Sequence, residues 1–373
     1  MKKILLLLVA VFAFISNINA QTWNMVVTHK DGTVQVIKAS DVKNVTFQLP
    51  DQNADQVIIK ELYTTGVPIE NDPKNFFQMD KGFILYNNGG KTAVISNLAI
   101  GILDPYNAQS VANAWYSTGA TEPSYVSQGW VPAACGIWYF PNSLIIEPYS
   151  QVVISCMGAI DNTKTYPQSI NYANKDYYTM YDPESGFKNP KYYPTPADVI
   201  PTSQYLKAVE YGQANAWPLS ATSPGFFIFQ TKNTTPAAFA NDASNITYTP
   251  GKAQNKINAV LKVPTDWIID GVEVYEKINE SKSKKRFGSD VDAGYVMQTV
   301  KLGHSVYRNV DVEATKKIEG NTAKLVYNYQ YGADPSHIDA EASMKNGAKI
   351  VYMDTNNSTS DFHERKQFSL RDK

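Results

Sequence analysis

The sequence is short of the residues that most chemistry needs. Of 373 residues, two are cysteine and four are histidine. Those imidazoles, His29, His304, His337 and His363, are scattered among different segments and argue against a multi-histidine metal centre. His363-Glu364 begins like a zinc-protease helix, but Gln367 stands where the second histidine is required. Charge is sparse as well. Asp, Glu, Lys and Arg make up 18% of the chain and the formal net charge is −1, so no field draws nucleic acid or an anionic membrane. After the first twenty residues no apolar run reaches the ~18 residues of a membrane helix. Gly89-Gly90-Lys91-Thr92 ends like a phosphate loop, yet Leu85 occupies the position of its first glycine. Gly303-His304-Ser305-Val306-Tyr307 lacks the second glycine of a nucleophile elbow. No catalytic residue and no cofactor is therefore assigned. The Lys282-Ser283-Lys284-Lys285-Arg286 run reads as a solvated loop.

What is present begins with a leader. Lys2 and Lys3 precede an apolar run from Ile4 to Ile15, and a small residue, Ala20, stands before Gln21. That is the layout of a secretory signal peptide over residues 1–20. The expectation is an exported protein of the periplasm, outer-membrane surface or medium. Gln21 stands where a lipid-anchored protein needs cysteine, so a lipoprotein is not expected. In an oxidising compartment Cys135 and Cys156 either pair, contributing roughly 3 kcal/mol, or remain buried thiols that pack as small apolar groups.

The abundant residues are aromatic: 24 Tyr, 15 Phe and 6 Trp, beside 20 Pro and 21 Gly. Such a composition suits β-structure with long ordered loops. Residues 21–49 predict a small β element. Trp23–Thr28 and Thr33–Ile37 alternate about Asp31-Gly32, a hairpin signal, and a third run follows at Val42–Phe47. Residues 50–56 read as a linker. Beyond it, short strands recur: Val57–Tyr63, Gly82–Tyr86, Ala93–Leu103, Ala134–Phe140, Leu144–Ile146, Gln151–Met157, Gly225–Thr231, Trp267–Tyr275, Tyr295–Val300, Ser305–Asn309 and Lys349–Met353. Their spacing predicts an all-β sandwich.

Several phrases, in order, resemble the lamin-tail type of Ig-like β-sandwich, and in particular a Bacteroidota family of exported proteins of unknown function. They are Ile58-Ile59-Lys60-Glu61-Leu62-Tyr63, Asp80-Lys81-Gly82-Phe83-Ile84-Leu85-Tyr86-Asn87-Asn88, Leu144–Ile154, Trp267-Ile268-Ile269-Asp270-Gly271-Val272-Glu273, Gly303–Arg308 and Asp354–Ser358 with Asp361-Phe362. The resemblance implies one domain over 57–373 and an envelope setting, and it implies no known reaction.

Within that domain, residues 104–223 read as an inserted excursion. Its tyrosines interleave with Pro183, Pro190, Pro194, Pro196 and Pro201, which exclude regular helix. Tyr177, Tyr178, Tyr181, Tyr192, Tyr193, Trp115, Trp130 and Trp217 are the candidate ligand-binding residues, because flat rings with polar tips suit sugars and protein partners. Asp354 and Asn356, and separately Asp290 and Asp292, are weak calcium candidates, lacking the glycine and terminal glutamate of a calcium loop. Arg308 is expected to be structural, paired with a carboxylate such as Asp361 or Glu61. These features favour a non-catalytic envelope protein that binds a partner or nutrient, a glycan or a surface or outer-membrane protein such as a transporter. A secreted hydrolase using two carboxylates on glycan, and an adhesive surface component, are the alternatives.

Overall fold

The computed structural model describes residues 23–43, 45, 50–70, 72–109 and 114–371. The expected leader, and residues 44, 46 and 47 of the expected Val42–Phe47 run, lie outside the described residues. The chain divides into a small unit ending at Gln48 and a large one from Leu49 onward. In the small unit, strand Asn24–Thr28 pairs antiparallel with Val34–Lys38. Gly32 supplies a positive φ of 85° at the turn, and Asp31 accepts a hydrogen bond from the Thr33 amide. The expected linker is tied to the large unit: Gln52 bridges Val94, and Asp51 accepts a 2.6 Å bond from the Ser96 amide.

Among the described residues, twelve strands of the large unit form one hydrogen-bonded sheet. In chain order they are β1 (Val57–Tyr63), β2 (Gly82–Asn87), β3 (Leu98–Ile102), β4 (Gly136–Tyr139), β5 (Gln151–Ser155) and β6 (Tyr178–Met180). Then come β7 (Tyr205–Glu210), β8 (Gly225–Gln230), β9 (Ile268–Glu276), β10 (Val296–Gln298), β11 (Ser305–Arg308) and β12 (Phe362–Arg365). Their order in space is β10-β9-β8-β3-β4-β7-β6-β5-β2-β1-β11-β12. Three neighbouring pairs are parallel, β9 with β10, β5 with β6 and β6 with β7; the others are antiparallel. The sheet curls until its end strands meet. There the Thr299 amide donates to Glu364 (2.6 Å) and the Tyr295 amide donates to Thr359 Oγ1 (3.1 Å). The fold is mostly β, with a few short helices among the described residues. The Ig-like sandwich is not confirmed, because the strands form a single, nearly closed, barrel-like sheet.

Alternation places the core. Val57, Ile59 and Leu62 of β1, Phe83 and Leu85 of β2, Ile100 of β3, Trp138 of β4 and Phe226 and Ile228 of β8 share one buried cluster. Their neighbours on the opposite face are buried too. Ala99, Ile137, Phe227 and Phe229 pack beneath Val131, Leu261 and Val263, which belong to a separate three-stranded sheet. Burial on both faces is why β1 and β8 read as nearly continuous apolar runs. In β1 a bulge makes Lys60 the extra residue between the Ile59–Leu85 and Glu61–Ile84 pairs.

Some boundaries differ from expectation. Ala93–Leu103 is two strands rather than one, because Asn97 takes a φ of 53° and breaks the ladder. Lys349–Met353 forms a single bridge, Tyr352 to Val310. The segment 104–223, expected as an excursion, supplies β4, β5, β6 and β7. β4 and β5 fall within the expected runs Ala134–Phe140 and Gln151–Met157, whereas β6 and β7 lie in the proline-rich stretch and carry no periodicity signal of their own.

Candidate functional site

The aromatic candidates are packing residues. Trp217 is 1% exposed, and Tyr193 and Trp115 are 4% exposed. Trp217 donates its indole N–H to the Gly136 carbonyl (2.9 Å), and its amide donates to the Tyr193 hydroxyl (3.0 Å). Trp115 donates to Asp104 (2.7 Å) and lies edge-on to the half-buried Trp130, with ring centres 5.6 Å apart. Tyr178, Tyr181 and Tyr192 lie half-buried against the main core, and Tyr177 against a smaller cluster around Tyr63 and Phe368. These rings fasten proline-rich loops to the sheet, and none of the eight lines the cavity of about 800 Å³ described below.

The acidic candidates are brought together, as a joint between loops. Asp292 is buried and its oxygens accept from the amides of Glu273, Gly294 and Ser358 and from the Ser358 hydroxyl. Asn356 has a φ of 53°, and its carbonyl accepts from the Ala293 amide. Asp354 pairs with Arg308 at 3.2 Å, and Asp290 is exposed. Carboxylate lone pairs already taken by N–H and O–H donors are poor cation ligands. Among the described residues no group of three or more His, Cys, Asp or Glu side chains has metal-binding geometry.

Cys135 and Cys156 are both free thiols. Burial pushes the Cys135 thiol up to about 11 and Cys156 up to about 12. Arg308 is structural, but its main partner differs from the expected ones. Its Nη2 donates to Asp270 (2.5 Å), Nε to the Ile59 carbonyl (2.8 Å) and Nη1 to the Met353 carbonyl (2.6 Å). Asp361 lies 3.7 Å from Nη1, while Glu61 faces Arg365 at 3.9 Å. Sequence order hides Asp270 because β9 reaches Arg308 only through the curl of the sheet.

A cavity of about 800 Å³ lies along the seam where β10 meets β12. Four separate segments build it: 277–280, 295–304, 332–333 and 359–366. Val296, Met297 and Phe362 supply apolar wall. Tyr295 supplies a ring whose position is set from three sides. It stacks on Tyr275 with centres 4.0 Å apart and planes 16° apart. Its hydroxyl donates to Glu280 (2.9 Å), and its amide and carbonyl both bond Thr359 Oγ1.

At the other end His304 Nδ1 lies 2.7 Å from Glu364. Burial works against the Glu364 carboxylate, but hydrogen bonds from His304 and the Thr299 amide outweigh it and hold the group below its ordinary value. His363 is buried within β12, between Asn309 and Tyr329 at 2.7 Å each. Burial, with the charge of Arg365, pushes its imidazole down to about 3. Lys277 and Lys366 rim the groove, both exposed, and neither has an acidic partner within 4.0 Å among the described residues. No local signal marks Lys277, Tyr295, Met297 or Lys366, because each takes its role from a tertiary neighbour.

Residues 147–324 match the profile of a family described as protein of unknown function (DUF4876). The fold is similar to that of a DUF4876 family protein from Bacteroides thetaiotaomicron, with a TM-score of 0.57, 19% identity, and coverage of 91% of this chain and 80% of that one. No curated protein matches the chain. Among the described residues no helix is long and apolar enough to cross a membrane. The chain thus carries a region similar to a Bacteroidota family of unknown function, on a mostly β fold similar to that of a Bacteroides protein of that family.

Proposed function

We propose that this is an exported, non-catalytic envelope protein that binds its ligand in the seam groove. The observation that carries the reading is the make-up of the groove. It is open, it joins apolar wall to a fixed aromatic ring and cationic rims, and among the described residues no serine or cysteine lines it beside its His304–Glu364 pair. Of the two hydroxyls in the wall, Thr359 already donates to the Tyr295 carbonyl (2.9 Å) and accepts from its amide, and Tyr295 donates to Glu280. Export rests on the leader in residues 1–20, and the likeness to lamin-tail-type sandwiches fits a β scaffold that presents a binding surface in the envelope. A second reading, carboxylate-based glycan hydrolysis, draws on Glu280 and Glu364 lining the same groove.

Probing glycan and peptide arrays with the mature chain, and with a Met297→Arg variant of equal melting temperature, separates the two. Binding that the variant loses, without turnover of the bound ligand, is expected. Binding that ignores Met297→Arg overturns the groove assignment. Cleavage of a bound glycan that Glu364→Gln abolishes replaces the binding reading with the enzymatic one.

A further inference from the structure

We infer that the seam groove takes an anionic sugar ring, with Tyr295 as the stacking platform and Lys277 and Lys366 as the groups that meet its charge. The inference rests on the groove being the binding site, and it names the class of ligand.

The first support is the platform. One face of Tyr295 is covered by Tyr275 at 4.0 Å, which leaves the opposite face for a flat ligand. Its bonds to Glu280 and Thr359 hold the ring before anything binds, so little ordering remains to be done on association. The second support is charge. Lys60, Lys207 and Lys285 each lie within 3.0 Å of a carboxylate, whereas Lys277 and Lys366 share one groove without such a partner among the described residues. Of the two acids in the lining, Glu364 is held by His304 and the Thr299 amide, and Glu280 receives the Tyr295 hydroxyl. Both acids keep their charge, but their oxygens are engaged by these donors, whereas Lys277 and Lys366 have no carboxylate partner among the described residues and are the groups placed to meet a carboxylate or sulfate on the ligand.

The third support separates a sugar from an extended acidic peptide. A peptide bound by strand addition needs free backbone groups on a sheet edge. Here the seam is bridged from side chain to backbone at Thr299–Glu364 and Tyr295–Thr359, and the Lys366 amide is taken by the Tyr331 carbonyl (2.6 Å). A ring over an aromatic face needs none of those groups. A cavity of about 800 Å³ has room for a short oligosaccharide.

Calorimetric titration of the mature chain with trigalacturonate, its methyl ester, a sulfated trisaccharide and a hexaglutamate peptide tests this. The acidic sugars are expected to bind, more weakly as salt rises from 50 to 300 mM, and the ester to bind roughly five- to tenfold less tightly. Lys277→Gln/Lys366→Gln should bring the acid down to the affinity of the ester. Tyr295→Ala should weaken both about tenfold, while Tyr295→Phe keeps the ring and stays within about twofold of wild type. Tighter binding of trigalacturonate identifies carboxylate as the charge read, and of the sulfated sugar, sulfate. An ester that binds as tightly as the acid overturns the charge assignment and leaves the groove a binding site. Peptide binding without sugar binding overturns the sugar class, and failure of both acidic sugars to bind overturns this inference. Sugar binding that survives Tyr295→Ala, in a variant with an unchanged melt, overturns the groove reading as well.

Discussion

Replacing Arg308 with methionine should be among the most damaging single changes in the large unit. The side chain is 1% exposed and satisfies Asp270 together with the carbonyls of Ile59 and Met353. Methionine keeps much of the volume and removes every donor. Asp270 is then left buried with the Ile59 and Gly271 amides and no cation. Burial already pushes its carboxyl up, against the pull of Arg308. Breaking a buried pair from one side costs about 3–5 kcal/mol, most of it from the charge left behind. An unfolding entropy of about 2.1 cal/mol/K per residue, over a unit of ~325 residues, makes ~4 kcal/mol a fall of about 6 °C in Tm.

Differential scanning calorimetry at pH 7.5 reads this directly. Asp270→Asn should cost less in the Arg308→Met background than in the wild type, because it removes the stranded charge. An Arg308→Met protein melting within about 1 °C of wild type would refute the argument. So would strictly additive effects of the two changes.

Glu61 gives a pH-dependent counterpart. Burial raises its carboxyl to about 7, against the opposing charge of Arg365. Between the unfolded value near 4.3 and about 7, the folded chain holds the proton that the unfolded chain has lost, so this group's contribution to stability falls as pH rises through that window. Glu61→Gln should therefore flatten the decline in Tm between pH 4.5 and 7.5, and a curve merely displaced parallel to the wild type would contradict it. Denaturing the unreduced protein should release two thiols to a thiol reagent. The native protein should react slowly, Cys156 more slowly than Cys135, because Cys156 is buried, Cys135 is half-buried and both thiolates are disfavoured. No thiol released after denaturation would show that Cys135 and Cys156 pair.

Strand identity was readable because the pleat is a local property. Val57–Tyr63, Gly82–Tyr86, Gly225–Thr231 and the Asp31-Gly32 hairpin each carry their signal within a few residues, and the structure places a strand or turn at each. Sheet order was not readable. β3 lies between β8 and β4, and β11 pairs with β1 although Ser305–Arg308 and Val57–Tyr63 lie near opposite ends of the large unit. The same non-locality turned the tyrosine-rich loops inward: Tyr193 and Trp217 bury their rings because the sheet beneath them offers apolar surface, a fact absent from their own sequence neighbourhood. Arg308 was legible as a buried structural cation, while its partner Asp270 was not, since β9 approaches only when the sheet curls. The groove is the extreme case. Its four segments come together where β10 meets β12, so local residue chemistry determined what each strand is, and closure of the sheet alone decided which side chains share a cavity.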